Sequence, residues 1–126
     1  MFTHVMVGTN DIAKAKAFYD ATIQAIGGNA GAEFNGRAFY SHNGGNFGVG
    51  APADGGAATH ANGGTIGFGA QNKEQVDAWH AAGLANGGTC EGEPGPRPGA
   101  PGNAYGAYLR DPDGNKVCAF CQLGSN

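Results

Sequence analysis

The sequence predicts an α+β fold of two tandem βαβββ modules, and three observations carry that expectation. Short segments alternate apolar and polar residues, while two longer ones repeat apolar residues every three to four positions. The order strand, polar cap, helix, double glycine occurs twice. The hairpins that follow each helix also match one another residue by residue, the mark of an internal repeat.

The first module opens with a strand over 3–8, Thr3-His4-Val5-Met6-Val7-Gly8. Polar Thr9-Asn10-Asp11 follows, with Asn10 or Asp11 suited to cap a helix. Ile12, Ala15, Tyr19, Thr22 and Ile26 then repeat at helical spacing, and Gly27-Gly28 supplies the stop. Asn35-Gly36 marks a tight turn between short strands near 31–34 and 37–42. The second module starts over 64–70, Gly64 to Ala70. Asn72 with Gln75 has the form of a capping box, the next helix carries Val76, Trp79 and Gly83, and Gly87-Gly88 ends it.

Both modules close on hairpins. Ala38-Phe39-Tyr40, a four-residue gap and Gly45-Asn46-Phe47-Gly48-Val49 lie over Ala107-Tyr108-Leu109, the same gap and Gly114-Asn115-Lys116-Val117-Cys118. His42-Asn43-Gly44-Gly45 turns the first hairpin and Asp111-Pro112-Asp113-Gly114 the second. Residues 1–126 therefore read as a single domain, with module 1 at about 1–52, a linker over 53–63 and module 2 at about 64–122. Residues 92–103, with Pro94, Pro96, Pro98 and Pro101, read as one long loop, which either covers a pocket mouth or merely connects.

Bulk composition bounds the partners. Lys and Arg total only seven, scattered along a chain of net charge −3, so the clustered positive charge that neutralises nucleic-acid phosphate is missing. No apolar run approaches the roughly 20 residues of a membrane span. The N-terminal residues alternate like a strand and lack the layout of a signal peptide. Three cysteines, Cys90, Cys118 and Cys121, form no evident bridging pair, which suits a reducing, cytoplasmic setting. Charged residues are 13% of the chain, low for a free surface, so a face covered by a second copy is expected.

Several segments resemble the vicinal oxygen chelate superfamily, which groups glyoxalases, bleomycin-resistance proteins and extradiol dioxygenases. They are the opening His4-Val5-Met6-Val7, Ala17-Phe18-Tyr19 in the first helix, Val76-Asp77-Ala78-Trp79-His80 in the second, and Tyr108-Leu109-Arg110-Asp111-Pro112-Asp113-Gly114-Asn115-Lys116 running into the last strand. The resemblance implies a curled, cup-shaped mixed sheet with flanking helices, a homodimer, and a small organic molecule bound in the concave cup. In members that use a metal, the first and last strands of each module donate ligands, commonly His or Gln and Glu, to a Zn, Ni, Fe or Mn ion.

In the internal alignment those four positions are His4, Val49, Thr65 and Cys118. Valine offers no donor and threonine a poor one, so the usual metal site is expected to be absent; an ion, if bound, would use His4 and Cys118. Strand parity places His4, Met6, Phe47, Val49, Thr65, Gly67, Gly69, Cys118 and Phe120 in the cup, with Phe39 and Tyr108 from adjoining strands. That surface is apolar and aromatic, without Asp or Glu, which favours binding over acid–base chemistry. The competing reading is a metal-dependent glyoxalase-like lyase or dioxygenase. His4 is either a ligand or a plain lining residue, and Cys118 either a thiolate or a small hydrophobe. Arg97 is a candidate for a substrate anion or else a solvated loop residue. His42, His60 and His80 show no ligand spacing with another donor, and Trp79 reads as a core anchor.

Overall fold

In the computed structural model, residues 1–123 are described, and the last three, 124–126, lie outside the described residues. The chain runs β1 (Val5–Gly8), α1 (Ile12–Ala25), β2 (Ala32–Phe34), β3 (Arg37–His42) and β4 (Gly45–Gly50), then repeats with β5 (Ile66–Gly69), α2 (Lys73–Ala85), β6 (Thr89–Pro96), β7 (Ala104–Arg110) and β8 (Lys116–Gln122). Each module forms a four-stranded mixed sheet, ordered β1-β4-β3-β2 and β5-β8-β7-β6. The first and last strands of each module pair in parallel, and the other pairs are antiparallel. The α+β class and the tandem repeat are as the sequence predicts, and the sheets stay open as a curled cup.

The helix ends follow from the capping chemistry. Asp11 Oδ1 accepts the Lys14 N–H at 3.2 Å, and Asn72 Oδ1 accepts the Gln75 N–H at 2.9 Å. The Gln75 side chain reaches back to the Gln71 N–H at 2.8 Å, one residue before the cap. Gly27 and Gly87 follow the two C-termini at φ +95° and +93°, a conformation in which a side chain is strained.

Helical periodicity decides what the helices bury. Ala15, Phe18, Tyr19, Thr22 and Ile23 form the inner stripe of α1, and Val76, Trp79, His80 and Gly83 that of α2. Trp79 is fully buried, as a core anchor should be. Each large apolar side chain so buried contributes about 1.5–3 kcal/mol. Gly83 is where the helices come together: a Cβ there would stand 2.2 Å from Leu109 Cδ1 and 3.1 Å from Phe18 Cε1. One hydrophobic cluster spans both modules, and Phe47 joins the rings of Tyr19 (4.7 Å between centroids) and Phe68 (5.2 Å).

The second hairpin turn clamps the modules together. The buried Asp111 carboxylate accepts the N–H groups of Asp113 and Asn115 and the side-chain amide of Asn115, each at 2.9 Å. Tyr19 Oη of α1 donates to the same carboxylate. Asn115 Nδ2 also reaches Gly8 O at the end of β1, at 3.1 Å. The Asp-Pro-Asp-Gly-Asn segment is thus a buried polar knot, with every Asp111 lone pair engaged.

Two expectations are corrected. Residues 92–103 are not one loop, because β6 continues to Pro96 and pairs through Gly92, Gly95 and Pro96 with β7. Its prolines are tolerated because β6 is an edge strand, where a missing N–H faces away from the ladder. The second correction concerns register. Both first-hairpin turns are the two-residue type with left-handed residues, Asn35-Gly36 and Asn43-Gly44, so Tyr40 pairs with Phe47. Between equivalent paired residues the second-module connection is one residue longer, 111–115 between Arg110 and Lys116 against 42–45 between Ser41 and Asn46, and Leu109 pairs with Val117. Val117 therefore corresponds to Phe47, and Cys118 to Gly48 rather than to Val49.

Candidate functional site

That single residue decides which side chains line the cup, because a one-residue slip turns every side chain of a strand to the opposite face. On β1 and β4, Val5 pairs with Phe47 and Val7 with Val49. Phe47 and Val49 lie in the helix-facing hydrophobic cluster, 6% and 0% exposed, so neither lines the cup. The concave face of the first sheet carries Met6 and Gly48 instead, with Phe39 beside them. A Cβ on Gly48 would meet Met6 Sδ at 2.3 Å and Phe39 Cδ1 at 3.1 Å.

In the second sheet the expected residues come together. Gly67 pairs with Cys118, and Tyr108 with Cys118 on its other side. The Tyr108 and Phe120 rings meet edge to face at 5.6 Å, and Phe120 lies over Gly106, where a Cβ would fall 2.5 Å from the ring. Lys116 Nζ and the Arg97 guanidinium sit 5.1 and 5.6 Å from the Tyr108 ring centre. An aromatic face flanked by two cations has formed: strand periodicity puts Lys116 on the face of Cys118 and Phe120, while Arg97 comes from beyond the end of β6. Arg97 stands half-buried just past the end of β6. It donates to the backbone carbonyls of Glu93, Gly95 and Pro96, which fastens the end of β6 beside Tyr108.

His4 and Thr65 precede β1 and β5 in equivalent places, and both are exposed. His4 Nδ1 lies 2.9 Å from Thr3 Oγ1. The four symmetric positions are therefore His4, Gly48, Thr65 and Cys118. One imidazole, one hydroxyl, no side chain at all and one thiol stand where the metal-using donor pattern needs imidazole and carboxylate. Burial pushes the Cys118 thiol up to about 11, against a small opposing effect of Lys116, so it stands protonated at neutral pH. These residues do not fit the divalent ion that the fold suggests.

A second hollow lies at the seam between the sheets, a pocket of ≈ 390 Å³. Val5, Ile23, Ile26, Phe47 and Phe68 give it an apolar wall, and His42 and Asn46 supply polar groups. Gly67 and Gly69 line it too, and no atom lies within 4 Å of a Cβ built on Gly69. The pocket was not foreseen, because its walls come from the C-terminal end of α1 and from four strands, β1, β3, β4 and β5, of two different sheets. One signal did exist in the glycines of β5.

Two open βαβββ sheets in tandem, with the two helices packed together, define the class of fold. A profile described as "Glyoxalase/Bleomycin resistance protein/Dioxygenase superfamily" matches residues 1–119, and the chain belongs to that superfamily. A glyoxalase/bleomycin resistance protein from Albidiferax ferrireducens T118 is similar at 55% identity and TM-score 0.93, over 97% of this chain and 99% of that one. A glyoxalase-related enzyme from Fulvimarina pelagi shares the fold at 17% identity and TM-score 0.74, over 97% and 88% of the two chains. Lactoylglutathione lyase from Agrobacterium tumefaciens does so at 21% identity and TM-score 0.65, over 96% and 92%. No curated protein matches the chain.

Proposed function

We propose that the protein binds a small, largely apolar organic molecule in its cup, and does so without the superfamily's usual metal. The observation that carries this reading is the set His4, Gly48, Thr65 and Cys118 at the four symmetric positions, which supplies no carboxylate. Tyr108 and Phe120 offer the ligand a stacking surface, and Met6 and Phe39 an apolar wall opposite in type. Lys116 and Arg97, held over Tyr108, favour a ligand that carries a carboxylate or another anionic group beside an aromatic ring.

The working form is a homodimer in the reducing cytoplasm. Phe34, on the edge strand β2, is 65% exposed, apolar surface that a second copy would cover. The three free thiols fit a reducing compartment. Light scattering on the eluting protein measures the first of these directly.

The binding reading is tested by calorimetric titration with a panel of aromatic acids and neutral aromatics, with and without chelator. Saturable binding that survives chelation and weakens in Tyr108→Ala supports it. Turnover that chelator abolishes, and that His4→Ala or Cys118→Ser also removes, would establish the lyase or dioxygenase reading.

A further inference from the structure

Far from the four symmetric positions, α2 and β6 bring three metal-binding side chains together. His80 Nε2 lies 3.2 Å from Cys90 Sγ, and Cys90 Sγ lies 3.6 Å from Glu93 Oε1. All three donor atoms are within 4.8 Å of one another. We propose that His80, Cys90 and Glu93 form a site for a zinc-class divalent ion that fastens α2 to the outer strand of the second sheet.

The backbone explains how the cluster arises. Residues three apart on a regular strand point to opposite faces, so Cys90 and Glu93 should be separated. The β6–β7 register shifts between Cys90 and Gly92 and again between Gly92 and Gly95. Those irregularities bring the two side chains to one side, a common use of bulges beside sites. Gly92 lets the strand pass close to its neighbours, since a Cβ there would stand 3.1 Å from Tyr108 Cδ2 and 3.2 Å from Arg97 Nη2. Arg97 donates to Glu93 O and so holds the bulged backbone. His80 is 4% exposed on the inner side of α2, which fixes its ring, whereas Cys90 and Glu93 are exposed and can reach an arriving ion.

The donor chemistry selects the ion. One imidazole, one thiolate and one carboxylate make a mixed N, S, O set suited to zinc, and a tetrahedral ion at its usual bond lengths spaces such donors by about 3.4–3.6 Å. The 3.2 and 3.6 Å separations lie close to that spacing, so only small side-chain movements are needed. On binding, the Cys90 thiol loses its proton to solvent and the thiolate takes a coordination position, so affinity rises with pH. Three protein donors leave one position for water or an incoming ligand. The ion is independent of the cup, whose Cys118 belongs to another strand and face.

The test uses Co2+ and Zn2+ alone, added to the whole purified protein. One Co2+ per chain should bind with a thiolate-to-cobalt charge-transfer absorption, and Zn2+ should displace it and raise the melting temperature. Cys90→Ser should abolish that absorption and the thermal shift. Glu93→Gln should weaken binding by about tenfold or more, given that even outer-shell losses cost 10–100-fold. Both positions are exposed, and circular dichroism verifies that each variant folds. Cys118→Ser should retain the absorption. No charge-transfer absorption at saturating Co2+, or one that persists in Cys90→Ser, overturns the proposal.

Discussion

Tyr19 Oη in the first module donates a 2.5 Å hydrogen bond to Asp111 Oδ2 in the second, and that contact ties the helix of one repeat to the hairpin turn of the other. Asp111 is 4% exposed and carries three further donors. Its loss therefore leaves several buried groups unpaired, whereas loss of the phenol removes a single charge-assisted bond. Tyr19→Phe should cost about 1.5–3 kcal/mol and Asp111→Ala about 3–5 kcal/mol, both read from urea denaturation midpoints. Equal costs for the two would show that the turn is not the shared anchor.

The same contact sets an alkaline limit. Burial, then the Asp111 carboxylate, pushes the Tyr19 phenol well above its ordinary 10.0, and burial with Asp20 raises Tyr40 as well. A pKa higher in the folded than in the unfolded chain gives stability that is complete below the unfolded value and lost as pH rises past it. Unfolding free energy should stay level up to about pH 9 and fall above about pH 10, less steeply in Tyr19→Phe. An identical slope in the variant would remove Tyr19 from the account.

Thiol reactivity separates the three cysteines. Cys90 is exposed, while Cys118 and Cys121 are buried. Burial raises the pKa of both buried thiols, that of Cys118 to about 11. A neutral alkylating reagent at pH 7.5 (set by the buffer, about a unit below a free thiol's pKa) should modify Cys90 first, and the other two only on unfolding. Mass spectrometry of the labelled peptides reads the order. Fast labelling of Cys118 in the folded protein would mean a thiolate in the cup and would favour the enzyme reading.

Gly83 sets helix propensity against packing. Alanine in a helix interior is favoured over glycine by about 1 kcal/mol. Its methyl group would stand 2.2 Å from Leu109 Cδ1 in a fully packed junction, and overpacking costs about 1–3 kcal/mol. Gly83→Ala should therefore lower the melting temperature, and a rise would show that the α1–α2 junction is looser than the structure has it.

The architecture was legible because its signals are local. Asp11 and Asn72 cap the helices they precede, Asn35-Gly36 turns a hairpin, and Trp79 anchors a core, each within a few residues of its cause. The cup was harder to read. Aligning Gly45 with Gly114 hides the extra residue in the 111–115 turn, and that slip assigned Phe47 and Val49 to the wrong face while leaving Cys118, Tyr108, Phe120, Met6 and Phe39 on theirs. His80, Cys90 and Glu93 could not be grouped from spacing, because a helix residue meets two strand residues whose parity is altered by bulges. Of the two cations beside Tyr108, Lys116 shares the strand parity of Cys118 and Phe120, whereas Arg97 stands beyond the irregular end of β6, so its place is set by the bulges and not by strand spacing.

The most direct test of the cup is metal content together with ligand affinity in the Cys90→Ser protein, where the α2–β6 cluster no longer contributes. The purified variant should carry no stoichiometric zinc, nickel, iron or manganese, and chelator should leave the affinity for its aromatic ligand unchanged. A stoichiometric ion in that variant, released by His4→Ala or Cys118→Ser, would contradict the metal-free cup.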